Sequence, residues 1–166
     1  MDMQLVKQNS CVSIAQELSV FYDKEIKILE EIVFECKNNP ASSYCLIENF
    51  KEDILSGFII FGKTPLTESS WDIYWLVVNK NFQNKGIGTR LIRDAEIYMV
   101  SNTSKEQAVI RVETSSRKEY EPARKTYRKN GYILSGMIPD FYGFGDDLIT
   151  FSKKIVSKDF FLPPKI

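Results

Sequence analysis

The sequence predicts a single α/β domain of the α+β kind, with two N-terminal helices, three successive antiparallel strands, then helix, strand, helix and two closing strands. Three observations predict it. A chain of 166 residues that is 43% apolar holds one core that needs no disulfide or metal staple. The apolar period changes from helical to strand-like at Ser43. A glycine turn, Gly86 and Gly88, stands between an apolar strand and an amphipathic stretch. No repeat, low-complexity tract or linker divides residues 1–156, while the tail 157–166, with Phe160, Phe161 and Pro163-Pro164, reads as extended or disordered.

Each element follows from its residues. From about Ser10 to Phe21, Val12 or Ala15, Leu18 and Phe21 share a helical face, and Ser13 with Gln16 fits a capping box. After Asp23, a candidate N-cap, Ile26, Leu29, Ile32, Val33 and Cys36 recur at the helical period until Asn38-Asn39-Pro40 breaks it. Tyr44 to Glu48, Ile54 to Gly62 and Trp71 to Val78 are β-rich runs separated by polar or proline-containing turns. Gly86 to Val100 places Ile87, Leu91, Ala95 and Tyr98 on one helical face, opposite Arg90, Arg93, Asp94 and Glu96. Gln107 to Glu113 returns to strand, and Glu121 to Lys129 is helical up to Asn130-Gly131. Strands at about Tyr132 to Ile138 and Asp147 to Lys154 then flank a glycine-rich loop.

Composition narrows the chemistry. Twenty-two basic residues balance twenty-two acidic ones, so no overall field draws in nucleic acid or an anionic membrane, and a charged ligand must be met locally. The absence of histidine removes Ser-His-Asp, Cys-His and zinc-protease mechanisms. Cys11, Cys36 and Cys45 are odd in number and lack CxxC spacing, so they read as reduced thiols, with no metal site. Met1 to Gln8 lacks a basic stretch followed by an apolar run, and the longest apolar run, Phe58 to Phe61, is far short of a membrane span. A soluble cytoplasmic protein is expected.

The informative segment is the strand Trp71 to Val78, followed by Gln83-Asn84-Lys85-Gly86-Ile87-Gly88 at the opening of a helix. Such a turn leaves backbone NH groups unpaired at the positive end of a helix dipole, which suits a diphosphate. The dinucleotide fingerprint fails because Leu91 stands where a third small residue belongs, and the P-loop fails for lack of Lys-Ser/Thr after the last glycine. By themselves the two glycines read equally as a turn with no ligand.

Gln83-x-x-Gly86-x-Gly88 after an apolar strand resembles the acyl-CoA signature of the GNAT superfamily of acyl-CoA-dependent N-acyltransferases. Downstream, Glu113-Thr114-Ser115-Ser116, Tyr120, Arg124, Tyr127, Gly131-Tyr132, Ile138-Pro139-Asp140-Phe141-Tyr142 and Gly145-Asp146-Asp147 resemble the second half of a bacterial GNAT subgroup. The likeness spans roughly residues 43–154. Thr126 departs from the pattern, standing where relatives often have an aromatic.

The resemblance implies a GNAT fold, a single mixed, mostly antiparallel sheet of six to seven strands with helices on both faces, splayed between strands 4 and 5, which are 71–78 and 107–113. It implies acetyl-CoA as co-substrate, its pantetheine paired to the backbone of Leu76, Val77 and Val78 as an added strand. Gln83, Asn84, Lys85, Gly86, Ile87, Gly88 and Thr89 would hold the pyrophosphate, with Arg128, Lys80 and Arg90 as further cations. It implies Tyr127 as the acid that protonates the departing thiolate, ahead of a packing role.

Attack by a neutral amine on a thioester needs a base, because an ammonium of pKa about 10 is neutral in about one molecule per thousand at pH 7. With no histidine, Glu113, Asp72 and Tyr74 are the candidates. Each reads equally as a strand-end charge, an edge residue or a cleft wall. The Asp140 to Asp147 loop reads either as a cation-holding loop, with Tyr142, Asp146 and Asp147 toward substrate, or as a hairpin turn. The expected activity is N-acetyl transfer to a primary amine of a small molecule, amino acid derivative or peptide, by a monomer or homodimer. The alternatives are a non-catalytic acyl-CoA sensor and a protein lysine or N-terminal acetyltransferase.

Overall fold

The computed structural model describes residues 10–103 and 107–161. The elements are α1 (Cys11–Glu17), α2 (Asp23–Asn38), β1 (Tyr44–Lys51), β2 (Ile54–Lys63), β3 (Ser70–Val78), α3 (Ile87–Ser101), β4 (Gln107–Ser115), α4 (Glu121–Lys129), β5 (Ile133–Gly143), β6 (Asp146–Val156) and a helical turn, Lys158–Phe161. One six-stranded sheet runs β1-β2-β3-β4-β6-β5. All neighbours are antiparallel except β3 and β4. That parallel pair requires a crossover, which α3 supplies. The strands expected as fourth and fifth are thus β3 and β4.

The sheet opens between them. β3 and β4 pair from Ser70 opposite Val109 to Ile73 opposite Val112, and the register stops there. Beyond it, Tyr74 to Val78 and Glu113 to Ser115 diverge. Asp72 stands directly across from Arg111 at the root of the opening, where Nε donates to Oδ1 at 2.7 Å and Thr64 Oγ1 donates to Oδ2 at 2.8 Å.

A bulge reassigns the faces of β3. Ile60 pairs with Trp75 but Phe61 pairs with Ile73, so Tyr74 is the extra residue. Before it, Trp71 and Ile73 pack into the core formed with α3, and after it, Leu76 and Val78 pack against that same core. Trp75 and Val77 then face the second core, built on Ile14, Ala15 and Leu29 of α1 and α2. Gly57 lets α3 sit close, since a Cβ there would lie 2.7 Å from the Val77 carbonyl and 3.2 Å from Ile87 and Leu91.

Several boundaries differ from expectation for local reasons. α1 is capped by Ser10, whose hydroxyl accepts from Ser13 N while Ser13 Oγ accepts from Ser10 N, so Ser13 is the distal member of the box and Gln16 is not in it. It ends at Glu17 because Ser19 takes a left-handed conformation, φ +55°. Asp23 is the first residue of α2, and Glu25 satisfies the Tyr22 amide at 2.7 Å. The glycine-rich loop is a tight hairpin, with Gly143 opposite Asp146. The tail begins as the helical turn 158–161 instead of extended chain, and its remaining residues, 162–166, lie outside the described residues.

Asp72 is 6% exposed, so removing Arg111 would leave a buried carboxylate without its cation, held by the Thr64 hydroxyl. Arg111→Met is expected to lower unfolding free energy by about 2–3 kcal/mol, measured by urea denaturation. A loss within experimental error would show that the pair does not hold the root of the opening.

Candidate active site

The parting of β3 and β4 opens a cleft of about 1750 Å³, walled by the α1–α2 loop, β3, the N-terminus of α3, the end of β4, α4 and the β5–β6 hairpin. Asn79 N donates to Ser56 O at 3.0 Å, which turns the backbone of residue 79, and by strand alternation 77, toward β2. Leu76 and Val78 therefore direct their backbone groups toward the gap that β4 has vacated. Gln83 Nε2 approaches the Val78 carbonyl at 3.4 Å.

The turn after β3 is shaped by two left-handed residues, Asn84 at φ +60° and Gly86 at φ +79°. Gly86 is the N-cap of α3, without a side-chain cap, and a Cβ there would meet nothing within 4 Å. Among the described residues, no protein acceptor takes the amides of residues 84–89; the first bond of the helix is Arg90 N to Gly86 O. A row of free amides at a helix N-terminus, beside open space, matches a pyrophosphate in charge and in donor chemistry.

α4 lies alongside this cradle. A Cβ on Gly88 would reach Thr126 at 3.5 Å, and Asn130 Nδ2 donates to Thr89 Oγ1 at 3.2 Å. These contacts set Tyr127 relative to the amide row. Tyr127 is 4% exposed, packs against Tyr132 and Phe151 at ring distances of 5.8 and 6.2 Å, and lines the cleft. Burial raises its phenol above the ordinary value, so it stays protonated.

The opposite wall is aromatic and acidic. Phe21 packs on Trp75 at 4.9 Å, and Tyr120, whose phenol is pushed up to about 12 by burial and by Glu25, stands beside Phe21. Arg117 lies over the Tyr22 and Tyr120 rings, at 4.5 and 5.1 Å, and pairs with Asp146 at 3.3 Å. Buried Arg124 donates to the carbonyls of Ser115 and Arg117 and pairs with Glu121 at 2.8 Å, fixing the 115–120 segment. Lys80, Lys125 and Lys129 line the α3–α4 side, and the side of the α1–α2 loop and the hairpin carries Glu17, Asp23, Glu25, Glu113 and Asp146 together with Lys24 and Arg117.

Of the residues expected from sequence, Tyr127, Glu113, Tyr74, Leu76, Val78, Gln83, Asn84, Gly86, Ile87, Gly88, Thr89, Tyr142 and Asp146 line this cleft. Five do not. Asp72 is held in its ion pair with Arg111. Val77 turns its side chain into the second core. Lys85 donates to the Asn81 carbonyl at 2.9 Å and sits over the Phe82 ring. Arg128 pairs with Glu121 and stacks over Phe151. Asp147 accepts from the Asp140 amide within the hairpin. Arg90, an additional phosphate candidate, pairs with Asp94 on α3. Sequence reasoning missed Trp75, Arg117 and the pair Lys125 and Lys129. The lysines could have been found, being four apart and flanking Tyr127 on one helix; Arg117 meets Tyr22 across 95 residues, which no local pattern reports.

A family model described as acetyltransferase (GNAT) domain matches residues 40–134. Among curated protein sequences, none matches the chain. Among solved structures, a Desulfovibrio desulfuricans protein ascribed to the GNAT family of acetyltransferases is similar with a TM-score of 0.78 and 24% identity, over 86% of this chain and 89% of that one. An aminoglycoside 6'-N-acetyltransferase complexed with coenzyme A gives 0.69 and 21%, over 99% and 95%. The aminoglycoside 6'-N-acetyltransferase from Enterococcus faecium gives 0.67 and 20%, over 99% and 97%.

Gly86→Val places a β-branched side chain both in a left-handed conformation and in the open space before the amide row. Coenzyme A affinity, measured calorimetrically, is expected to fall by more than about 10-fold. Unchanged affinity would mean that this loop holds no pyrophosphate.

Proposed function

The chain belongs to the GNAT family of acetyltransferases, and from that premise we propose that it moves an acetyl group from acetyl-CoA to a primary amine of a cationic small molecule, by direct attack within a ternary complex. The observation that carries the reading is the cleft between the parted strands. It has free amides of residues 84–89 at one end, a protonated Tyr127 along its wall and carboxylates at the other end.

The chain's own groups divide the work. Amides 84–89, with Lys80 nearby, hold the diphosphate, and the backbone of Leu76 and Val78 takes the pantetheine arm as an added strand. The Val78 NH, directed into the gap, is the donor for the oxyanion that forms as the amine nitrogen attacks the carbonyl carbon. As the C–S bond breaks, Tyr127 gives its proton to the sulfur and recovers one from solvent. Glu113, half-exposed and paired with Arg111 at 3.3 Å, takes the proton that the amine loses, directly or through water. Burial and the nearby Glu113 and Asp146 raise the Tyr142 phenol, so the hairpin offers a neutral aromatic face beside two carboxylates, a surface suited to an ammonium. Two of the proteins alike in fold are aminoglycoside 6'-N-acetyltransferases, and a polyamine sugar of that kind carries the charge this wall would attract.

Two outcomes are expected with an amine panel that includes aminoglycosides, read by thiol release. Tyr127→Phe lowers kcat by about 100-fold or more while leaving coenzyme A affinity within about 2-fold; an unchanged rate returns Tyr127 to packing alone. Since Tyr127 titrates only above the ordinary phenol value of about 10, kcat/KM rises with pH as the amine loses its proton and shows no descending limb below that point. A fall near neutrality would assign the acid to another group, and binding without turnover of any amine would make the protein an acyl-CoA sensor.

A further inference from the structure

Residues 18–22, the loop between α1 and α2, wall the hairpin side of the cleft, and among the described residues their backbone–backbone hydrogen bonds run to α1 and α2 alone. Across the cleft they meet a cation. Arg117 Nη1 donates to the Tyr22 hydroxyl at 2.8 Å, and Nη2 approaches the Val20 carbonyl at 3.4 Å. The same guanidinium lies over the Tyr22 and Tyr120 rings and turns Nε toward Asp146 of the hairpin at 3.3 Å. Its base is fixed. Arg117 N donates to Ser115 Oγ at 3.0 Å, and buried Arg124 donates to Arg117 O at 2.9 Å. The hairpin is pinned to this segment as well, with Ser116 N donating to Asp147 O at 2.9 Å and Ser115 Oγ to Asp146 Oδ1 at 2.5 Å. One side chain thus touches the loop, the 115–120 segment and the hairpin.

We propose that Arg117 is the positioning residue for the acceptor amine, clasping the α1–α2 loop to the β5–β6 hairpin so that this end of the cleft is formed before the amine arrives. The role rests on the reading of the cleft as a site of acetyl transfer to a cationic amine. None of the partners of Arg117 belongs to the amide row of residues 84–89 or to β3, so the clasp acts on the amine and leaves coenzyme A alone. The place requires a planar fork. Separate nitrogens serve Tyr22 and Asp146 while the faces of the group meet aromatic rings, which the single ammonium of a lysine cannot do. A loop held ready spares the amine the cost of ordering it. Charge alone predicts the opposite effect. Removing a cation beside Asp146 leaves a barer carboxylate, which would draw a cationic amine in more tightly. A clasp predicts weaker amine binding in spite of that added attraction, so the sign of the change separates the two roles.

Steady-state kinetics and hydrogen exchange on the full chain test this. Kanamycin heads the amine panel, and the amine with the highest kcat/KM is carried forward. Arg117→Ala is expected to raise KM for that amine by about 10-fold or more while KM for acetyl-CoA stays within about 2-fold. Amides in 19–22 are expected to exchange at least about 10-fold faster in this variant. Tyr22→Phe, which removes only the accepting hydroxyl, raises the amine KM by about 3-fold. Combined with Arg117→Ala it adds nothing, because the same bond is already gone. Arg117→Lys falls between the wild type and Arg117→Ala. An amine KM that is unchanged or lower in folded Arg117→Ala, an equal rise in the acetyl-CoA KM, or unaltered exchange in 19–22 each overturns the role. Where Arg117→Ala does not fold, the amine KM of Tyr22→Phe decides. A wild type that turns over no amine overturns the transfer reading and this role with it, whereas turnover with an unchanged amine KM in the variants overturns this role alone.

Discussion

The loss of hydrogen bonding between β3 and β4 beyond Ile73 and Val112 is the constraint on which the rest of the molecule turns. Backbone groups seldom stay unpaired inside a fold, so two strands that part within a sheet leave an edge suited to being completed from outside. The root of the opening is closed by charge, with Asp72 across from Arg111 on the last turn of shared register. Side chains thus hold the strands together at the point where the ladder stops.

The parts of the cleft are fixed by ordinary packing. α3 is drawn onto the sheet at Gly57, so its amide-rich N-terminus stands at the mouth of the opening. α4 is pinned to α3 through Thr126 and Asn130, and Tyr127 is wedged between Tyr132 and Phe151. The phenol is held in a dry environment that keeps its proton, while the amides at the other end remain wet and cationic in character. The lysines of α4 stand near the amide row, while the hairpin side carries carboxylates, among them Asp146 paired with Arg117.

Much of this was legible in the sequence because it is local. The period change at Ser43, the Gly86-x-Gly88 turn and the Asn130-Gly131 break all express backbone preferences that act over a few residues. The residues brought to the cleft by the amide row and by Tyr127 followed from those elements. What could not be read depends on register. Asp72 looks like a cleft residue along β3, and only its position across from Arg111, 39 residues away, shows why it is spent on an ion pair. Trp75 and Val77 both face the α1–α2 core because one extra residue at Tyr74 reverses the alternation. Lys85 and Arg128 read along the chain as phosphate ligands, and only the fold shows that Lys85 meets the Asn81 carbonyl and Arg128 the Glu121 carboxylate.

The bulge at Tyr74 has a consequence for how this scaffold tolerates change. Downstream of it, odd-numbered positions answer to α1 and α2 and even-numbered ones to α3, so one short segment of chain is shared between two independently packed bodies. Substitutions in the α1–α2 loop, with Trp75 as their contact, redraw one wall while Leu76 and Val78 keep their seat. Deleting one residue after Trp75 would instead turn every later position of the strand to the opposite face. Divergence of ligand preference is thereby cheap by point replacement and closed to small insertions or deletions downstream of the bulge.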